Sequence, residues 1–374
     1  MRILANLLLL AASIILSVLG AELLSRFLVD PVDYLFPRLV SDELLTHRVE
    51  GYSGGHDAWG FRNARVPASA DIVCIGDSMT YGIAAQAHEA WPAVLGQIRG
   101  ATVYNMGLGG YGPIQYLHLM RTQAVKLHPK IVIVGLFLGN DVMDVYNEVR
   151  FNKNWSKYGT LGGSDVKGAA FATQPPPAKY FGSLRNWLAE HSVLYALLTR
   201  TGIFDSVRNL LRKREMLLDN QNVITYRDAS HDVVFDLSTE GRYINMDDPR
   251  IKSALEITKQ VMLDMRSVAE KERFRLIVAM IPTKERVYRK LLQRVGFIQK
   301  HQRLSDVVND EDLAHDIMVG FLRQSNIEVV DLLPDLETAV EKGDPYPLTD
   351  AHPNAEGYKV IAKTIDRMIS TSPR

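Results

Sequence analysis

The chain has 374 residues, 47% hydrophobic and 23% charged, with 43 basic and 43 acidic side chains. That is enough apolar matter for one large core or two smaller ones. A net charge of zero gives no electrostatic case for nucleic acid as a partner. A single cysteine, Cys74, excludes an internal disulfide framework or a cysteine-based zinc site, and it reads as a small buried hydrophobe.

Ile3 to Ala21 is almost wholly apolar, close to the roughly 20 residues that span a bilayer core. A cleaved signal peptide ending near Val18-Leu-Gly20 is the rival reading. Apolar residues continue through Leu23, Leu24, Phe27 and Leu28, which favours a retained transmembrane anchor over 1–28. Arg2 flanks it on one side and Arg26 and Arg38 on the other, so charge orients it weakly. The expectation is a single-pass protein of the inner (cytoplasmic) membrane, its main domain periplasmic or otherwise outside the cytoplasm. Residues 29–70, with scattered Pro and Gly, read as a linker that becomes structured near Trp59-Gly-Phe-Arg62.

Ile72 to Ile75 reads as a strand buried on both faces, broken by Gly76-Asp77-Ser78. This leaves the Ser78 hydroxyl at a strand's carboxyl end, where open α/β sheets bind ligands. A helix over Glu89–Ile98 and a strand over Ala101–Asn105 follow. Gly107, Gly109 and Gly112 have the spacing of a dinucleotide fingerprint. They follow the second strand rather than the first, and the required acidic residue is missing near Lys126-Leu-His-Pro129. The turn reads instead as a source of backbone N–H groups facing the pocket of Ser78. A helix over Ile114–Leu127 leads to a strand over Lys130–Leu138, ending in Gly139-Asn140-Asp141.

From about 145 to 248 the pattern loosens into an insertion that could cap the active face. It holds a stiff Pro175-Pro-Pro177 loop and helices over Asn186–Leu198 and Asp205–Leu218, the second basic through a solvated face. A helix opened by Pro249, a strand over Phe274–Ile281, a helix over Glu311–Gln324, a strand over Ile327–Val330 and a last helix over Ala355–Ile369 complete the chain. Alternating strands and helices at this spacing imply a parallel, doubly wound sheet.

A serine hydroxyl needs a base to become a nucleophile. His352, ahead of the last helix, is the candidate base, and Asp350 the group that orients it. The N–H groups of Ser78 and Gly110 and the amide of Asn140 are candidate oxyanion donors, since each lies just past a strand end. Asp77 and Asp141 are expected to hold their turns by side-chain-to-backbone bonds. No cofactor or metal site is expected.

These four stretches, Gly-Asp-Ser78, Asn105-Met-Gly-Leu-Gly-Gly110, Gly-Asn140-Asp and Asp350-Ala-His352, resemble in order the blocks of the SGNH/GDSL hydrolase family. The resemblance covers 71–374 apart from the insertion. It implies a flavodoxin-like three-layer α/β/α sandwich; with the elements read above, the expected fold is that sandwich on a central parallel five-stranded sheet, with an N-terminal transmembrane helix and a mostly helical insertion. It also implies Ser78 as nucleophile and oxyanion donor, Gly110 and Asn140 as further donors, His352 as base and Asp350 as its partner. Leu138 stands where the family has Gly, and the acid precedes the base by two residues instead of three. That shorter spacing looks like membrane-tethered branches and proteins of exopolysaccharide O-acetylation and deacetylation. Trp59-Gly-Phe-Arg62 and Ile281-Pro-Thr-Lys-Glu285 also look like features of such anchored proteins, with loop architecture as their plain reading. The expected function is hydrolysis of acyl esters, acetyl above all, on a small molecule or glycan. One alternative is O-acetyl transfer to a polysaccharide with a multi-spanning membrane acyltransferase partner. The other is a non-catalytic glycan-binding protein.

Overall fold

The computed structural model describes residues 2–159, 183–200, 222–237 and 243–371. The first helix, α1 (Arg2–Leu28), has an 18-residue window of mean hydropathy 2.5, none of it buried, so it is long and apolar enough to cross a membrane. The expected linker over 29–70 is folded. It holds an antiparallel hairpin, β1 (Leu39–Asp42) and β2 (Thr46–Val49), and it buries Leu45, Val49 and Phe61 in the main core. The hairpin escaped the sequence because its strands are short and only one of their residues is buried.

The central sheet is built from β3 (Ile72–Gly76), β4 (Val103–Gly107), β5 (Ile131–Phe137), β8 (Arg275–Ile281) and β9 (Glu328–Asp331). Its order is β4-β3-β5-β8-β9, and every pairing is parallel. This is the flavodoxin-like order, with a switch point between β3 and β5, where ligands bind beyond the carboxyl ends. Alternate residues feed two cores. Val73 and Ile75 join one, and Ile72 and Cys74 join the other. Strands buried on both faces read as unbroken apolar runs, which is why these were visible in the sequence.

The first core is covered by α4 (Pro113–Thr122), α5 (Asp141–Phe151) and α8 (Pro249–Glu272). The second is covered by α3 (Trp91–Arg99), α12 (Leu333–Val340) and α13 (Ala355–Thr371). The helix expected over Ile114–Leu127 stops at Thr122 and continues as a 3-10 turn. The helix expected from Glu311 begins nine residues earlier, as α11 (Gln302–Gln324). Its stripe changes sides: Leu304 and Val308 face the second core, Ala314, Met318 and Leu322 the first, so no single periodic face marks it.

The insertion expected from about 145 starts later than that, because α5 runs on to Phe151 and a 3-10 helix over Lys153–Tyr158 buries Trp155 and Tyr158 in the first core. Its other described parts include two helices, α6 (Ser183–His191) and α7 (Val193–Arg200), and an unforeseen hairpin, β6 (Val223–Arg227) and β7 (Asp232–Asp236). One helix was expected where α6 and α7 lie. Ser192 breaks it by accepting from Tyr195 N at 3.0 Å. Glu22, near the end of α1, then accepts from Ser192 Oγ (2.8 Å), Val193 N and Leu194 N (both 3.0 Å), an anion at a helix start. The Pro175–Pro177 loop and the expected helix over Asp205–Leu218 lie outside the described residues.

Candidate active site

At the end of β3, Asp77 caps a single helical turn, α2 (Ser78–Tyr81), by accepting from Met79 N at 2.9 Å. This turn lies across the sheet on three glycines in register, since Gly76 pairs with both Gly107 and Gly135. A Cβ on Gly76 or Gly135 would collide with Thr80 Oγ1, and one on Gly107 with the backbone of Tyr81. Glycine is needed here for close approach. Gly107 had been read only as part of a loop, and the row across strands is invisible along the chain.

His352 precedes α13 and meets Ser78 from the opposite end of the sequence. Its Nε2 lies 2.8 Å from Ser78 Oγ, and its Nδ1 lies 2.6 Å from Asp350 Oδ1. The same Asp350 oxygen accepts the backbone N–H of His352 at 2.9 Å, so the two-residue spacing closes a tight turn that aims the carboxylate at the ring. Burial pushes Asp350 upward, but hydrogen bonds from His352 and the nearby Lys284 charge outweigh it and hold the carboxyl below its usual range. With Nδ1 as donor to Asp350, Nε2 is left as the acceptor for the Ser78 hydroxyl.

The oxyanion candidates are arranged unevenly. Gly109 faces Ser78: a Cβ there would stand 3.7 Å from Ser78 Cβ. Gly110 has a φ of +78°, a backbone conformation that suits glycine. His47, on β2, lies 3.0 Å from Gly109 O through Nε2. With His47 as donor, it fixes the Gly109–Gly110 peptide and turns the Gly110 N–H away from itself, because the two groups of a trans peptide point oppositely. His47 was missed because it falls in the supposed linker. Asn140 opens α5, with its amide bonded to Asp144 Oδ2 at 2.8 Å. The same Asn140 side chain also hydrogen-bonds the Asp77 carboxyl and favours its ionised form.

Below this surface lie two fully buried carboxyls, Asp77 and Asp141, with the half-buried Asp144 beside them. Asp141 accepts from Phe137 N at 2.8 Å and from Tyr116 Oη at 2.7 Å, holding the strand end as expected. Burial, with the neighbouring Asp77 charge, pushes Asp141 far above the usual range and Asp144 to about 8. Burial raises Asp77 to about 6, against the pull of the Met79 N–H and His352.

No family model and no curated protein matches the chain. Among solved structures it is similar to a member of the lipolytic protein G-D-S-L family from Veillonella parvula, at 12% identity over 80% of this chain and 98% of that one, with a TM-score of 0.38. An acetylxylan esterase from Geobacillus stearothermophilus, in a catalytic mutant, shares 10% identity over 82% and 97% of the two chains at a TM-score of 0.39. An alpha/beta hydrolase enzyme from the metagenome of Lake Arreo shares 13% over 83% and 99% at 0.38.

The unassigned motifs turn out to brace the site. Arg62 donates to Gly82 O (2.7 Å) and Ala85 O (2.9 Å) in the loop after α2, and pairs with Asp33 at 2.6 Å. Trp59 and Phe61 set their edges against Tyr104, and Asn63 bonds both backbone groups of Asn105, covering the β4 edge. In the other motif, Thr283 caps a short helix, α9 (Lys284–Val287).

Proposed function

We propose that this chain is a serine ester hydrolase of the SGNH/GDSL kind, working through an acyl-enzyme on Ser78. The observation that carries the reading is the unbroken chain Ser78 Oγ–His352 Nε2 (2.8 Å) and His352 Nδ1–Asp350 Oδ1 (2.6 Å) beyond the carboxyl end of a central strand.

In this reading His352 takes the Ser78 proton as Oγ bonds to the ester carbonyl carbon, and Asp350 stabilises the imidazolium that forms. The carbonyl oxygen, now anionic, is received by the N–H groups of Ser78 and Gly110 and by Asn140 Nδ2. Removing one such donor costs about 2.7–4 kcal/mol of barrier. The imidazolium then protonates the departing alcohol. Water, deprotonated by His352, attacks the acyl-enzyme and releases the acid and a free Ser78.

For the acyl group we propose acetyl on a carbohydrate, in line with the short Asp350–His352 spacing. We place the domain outside the cytoplasmic membrane, with α1 as its anchor. Purified Ser78→Ala is expected to lose hydrolysis of an aryl acetate and labelling by a serine-directed phosphonate; unchanged hydrolysis would refute the assignment. Free acetate released from an acetylated glycan supports hydrolysis, whereas acetate passed only to a sugar acceptor supports transfer. A reporter fused after Arg374, active in one compartment alone, tests the orientation.

A further inference from the structure

Lys284 is a buried ammonium that the reaction does not touch. Its Nζ donates to three backbone carbonyls of one loop: Pro347 at 2.7 Å, Leu348 at 3.0 Å and Asp350 at 3.2 Å. An ammonium has three donors, and all three are used. Carbonyl dipoles converging on one point repel each other, so this loop conformation needs a cation at its centre. Burial pushes Lys284 down to about 8, against the pull of Glu285, Asp350 and Asp344, so it is still charged at neutral pH.

The lysine is also tied to the sheet. It follows β8, an interior strand paired with β5 and β9, by only two residues, Pro282 and Thr283. Thr283 N is held by Glu311 at 3.0 Å. The loop is held further at Leu348 O, which also accepts from Val234 N of β7 at 2.9 Å, and at its start by Asp344, which accepts from Tyr288 Oη at 2.9 Å and lies 2.8 Å from His231 Nδ1. Asp350, partly open to water, therefore takes its place from a point fixed by the sheet.

We propose that Lys284 is a positioning residue that sets the Asp350 carboxylate against the His352 ring. The inference rests on the esterase reading and extends it: Lys284 acts through Asp350, holding the loop by hydrogen bonds and favouring the carboxylate by its charge.

The test uses the full chain in detergent micelles, with an aryl acetate as substrate and the downfield proton signal of the His352 Nδ1–H bond as a second readout. Lys284→Met keeps the length and apolar stem but removes donors and charge. It is expected to lower kcat about 100-fold, as small misplacements of catalytic groups do, while KM holds and the proton signal is lost. Lys284→Gln, which keeps two donors and no charge, is expected to fall between, and it carries both readouts if the Met variant does not fold. Wild-type kcat in these variants overturns the proposal, and so does a lowered kcat with an unaltered proton signal, which would mark a merely structural lysine. Should Ser78→Ala be as active as wild type, the esterase reading fails, and the proton signal alone still decides whether Lys284 positions Asp350.

Discussion

A Cβ on Gly107 would fall on the backbone nitrogen of Tyr81 and 2.6 Å from the carbonyl carbon of Thr80, whereas one on Gly109 would meet only Ser78 Cβ at 3.7 Å. Two glycines of one turn thus have unequal tasks. Backbone cannot yield as a flexible side chain can. Gly107→Ala is expected to cost about 1–3 kcal/mol or more and to misplace the Ser78 turn. Gly109→Ala is expected to stay within about 0.5 kcal/mol. Chemical unfolding of both variants, with phosphonate labelling of Ser78, checks the contrast.

Arg62 and Asp33 form an ion pair whose side chains are 6% and 7% exposed. Removing one partner leaves the other charge buried and unpaired, at a cost of about 3–5 kcal/mol. Arg62→Met should therefore destabilise strongly, and pairing it with Asp33→Leu should restore much of the loss. Equal stability of Arg62→Met and wild type in urea would refute this account of the Trp-Gly-Phe-Arg motif.

The buried carboxyls give stability a pH slope of predictable sign. Asp144 keeps its proton to about 8 when folded, while its ordinary value is 3.8. Between those values the folded chain binds more protons than the unfolded one, so the contribution is full below the lower value and is lost as pH rises through the upper. Asp77, raised to about 6, adds to the same slope. Asp144→Asn cannot titrate, yet its side-chain oxygen can still receive the Asn140 amide. Its melting temperature should exceed that of wild type above about pH 8 and converge with it near pH 4; a parallel pair of curves would contradict the assignment.

Asp350→Asn keeps the shape of the turn but removes the charge that stabilises the imidazolium. A fall in kcat of about 10³–10⁴ is expected for aryl acetate hydrolysis. Asn140→Ala removes one donor and should lower kcat by about 10²–10³ with little change in melting temperature. A large loss of stability without loss of rate would make Asn140 a turn residue only.

Much of this was legible along the chain. Ile72–Ile75 and Lys130–Leu138 read as strands because a parallel strand between helical layers shows water neither face, leaving a continuous apolar run. Pro249 and the long stripe after it marked α8 for the same kind of reason, one periodic face against one core. The hairpins β1–β2 and β6–β7 were not legible, since short strands with mixed faces resemble irregular chain. Neither was the break at Ser192, which depends on Glu22 arriving from 170 residues away.

By itself the sequence determined which residue types stand just past two strand ends, an alcohol and an amide, and that an imidazole with its carboxylate two residues earlier stands ahead of the last helix. It also determined that Ile3 to Ala21 is almost wholly apolar. Only the tertiary structure decided that Gly76, Gly107 and Gly135 form one row, that His47 holds the peptide before Gly110, and that Lys284 grips the Asp350 loop. The physical reason is common to all three. Each depends on strand register or on a side chain meeting backbone from a distant segment, and neither leaves a periodic or compositional trace in the chain that supplies it.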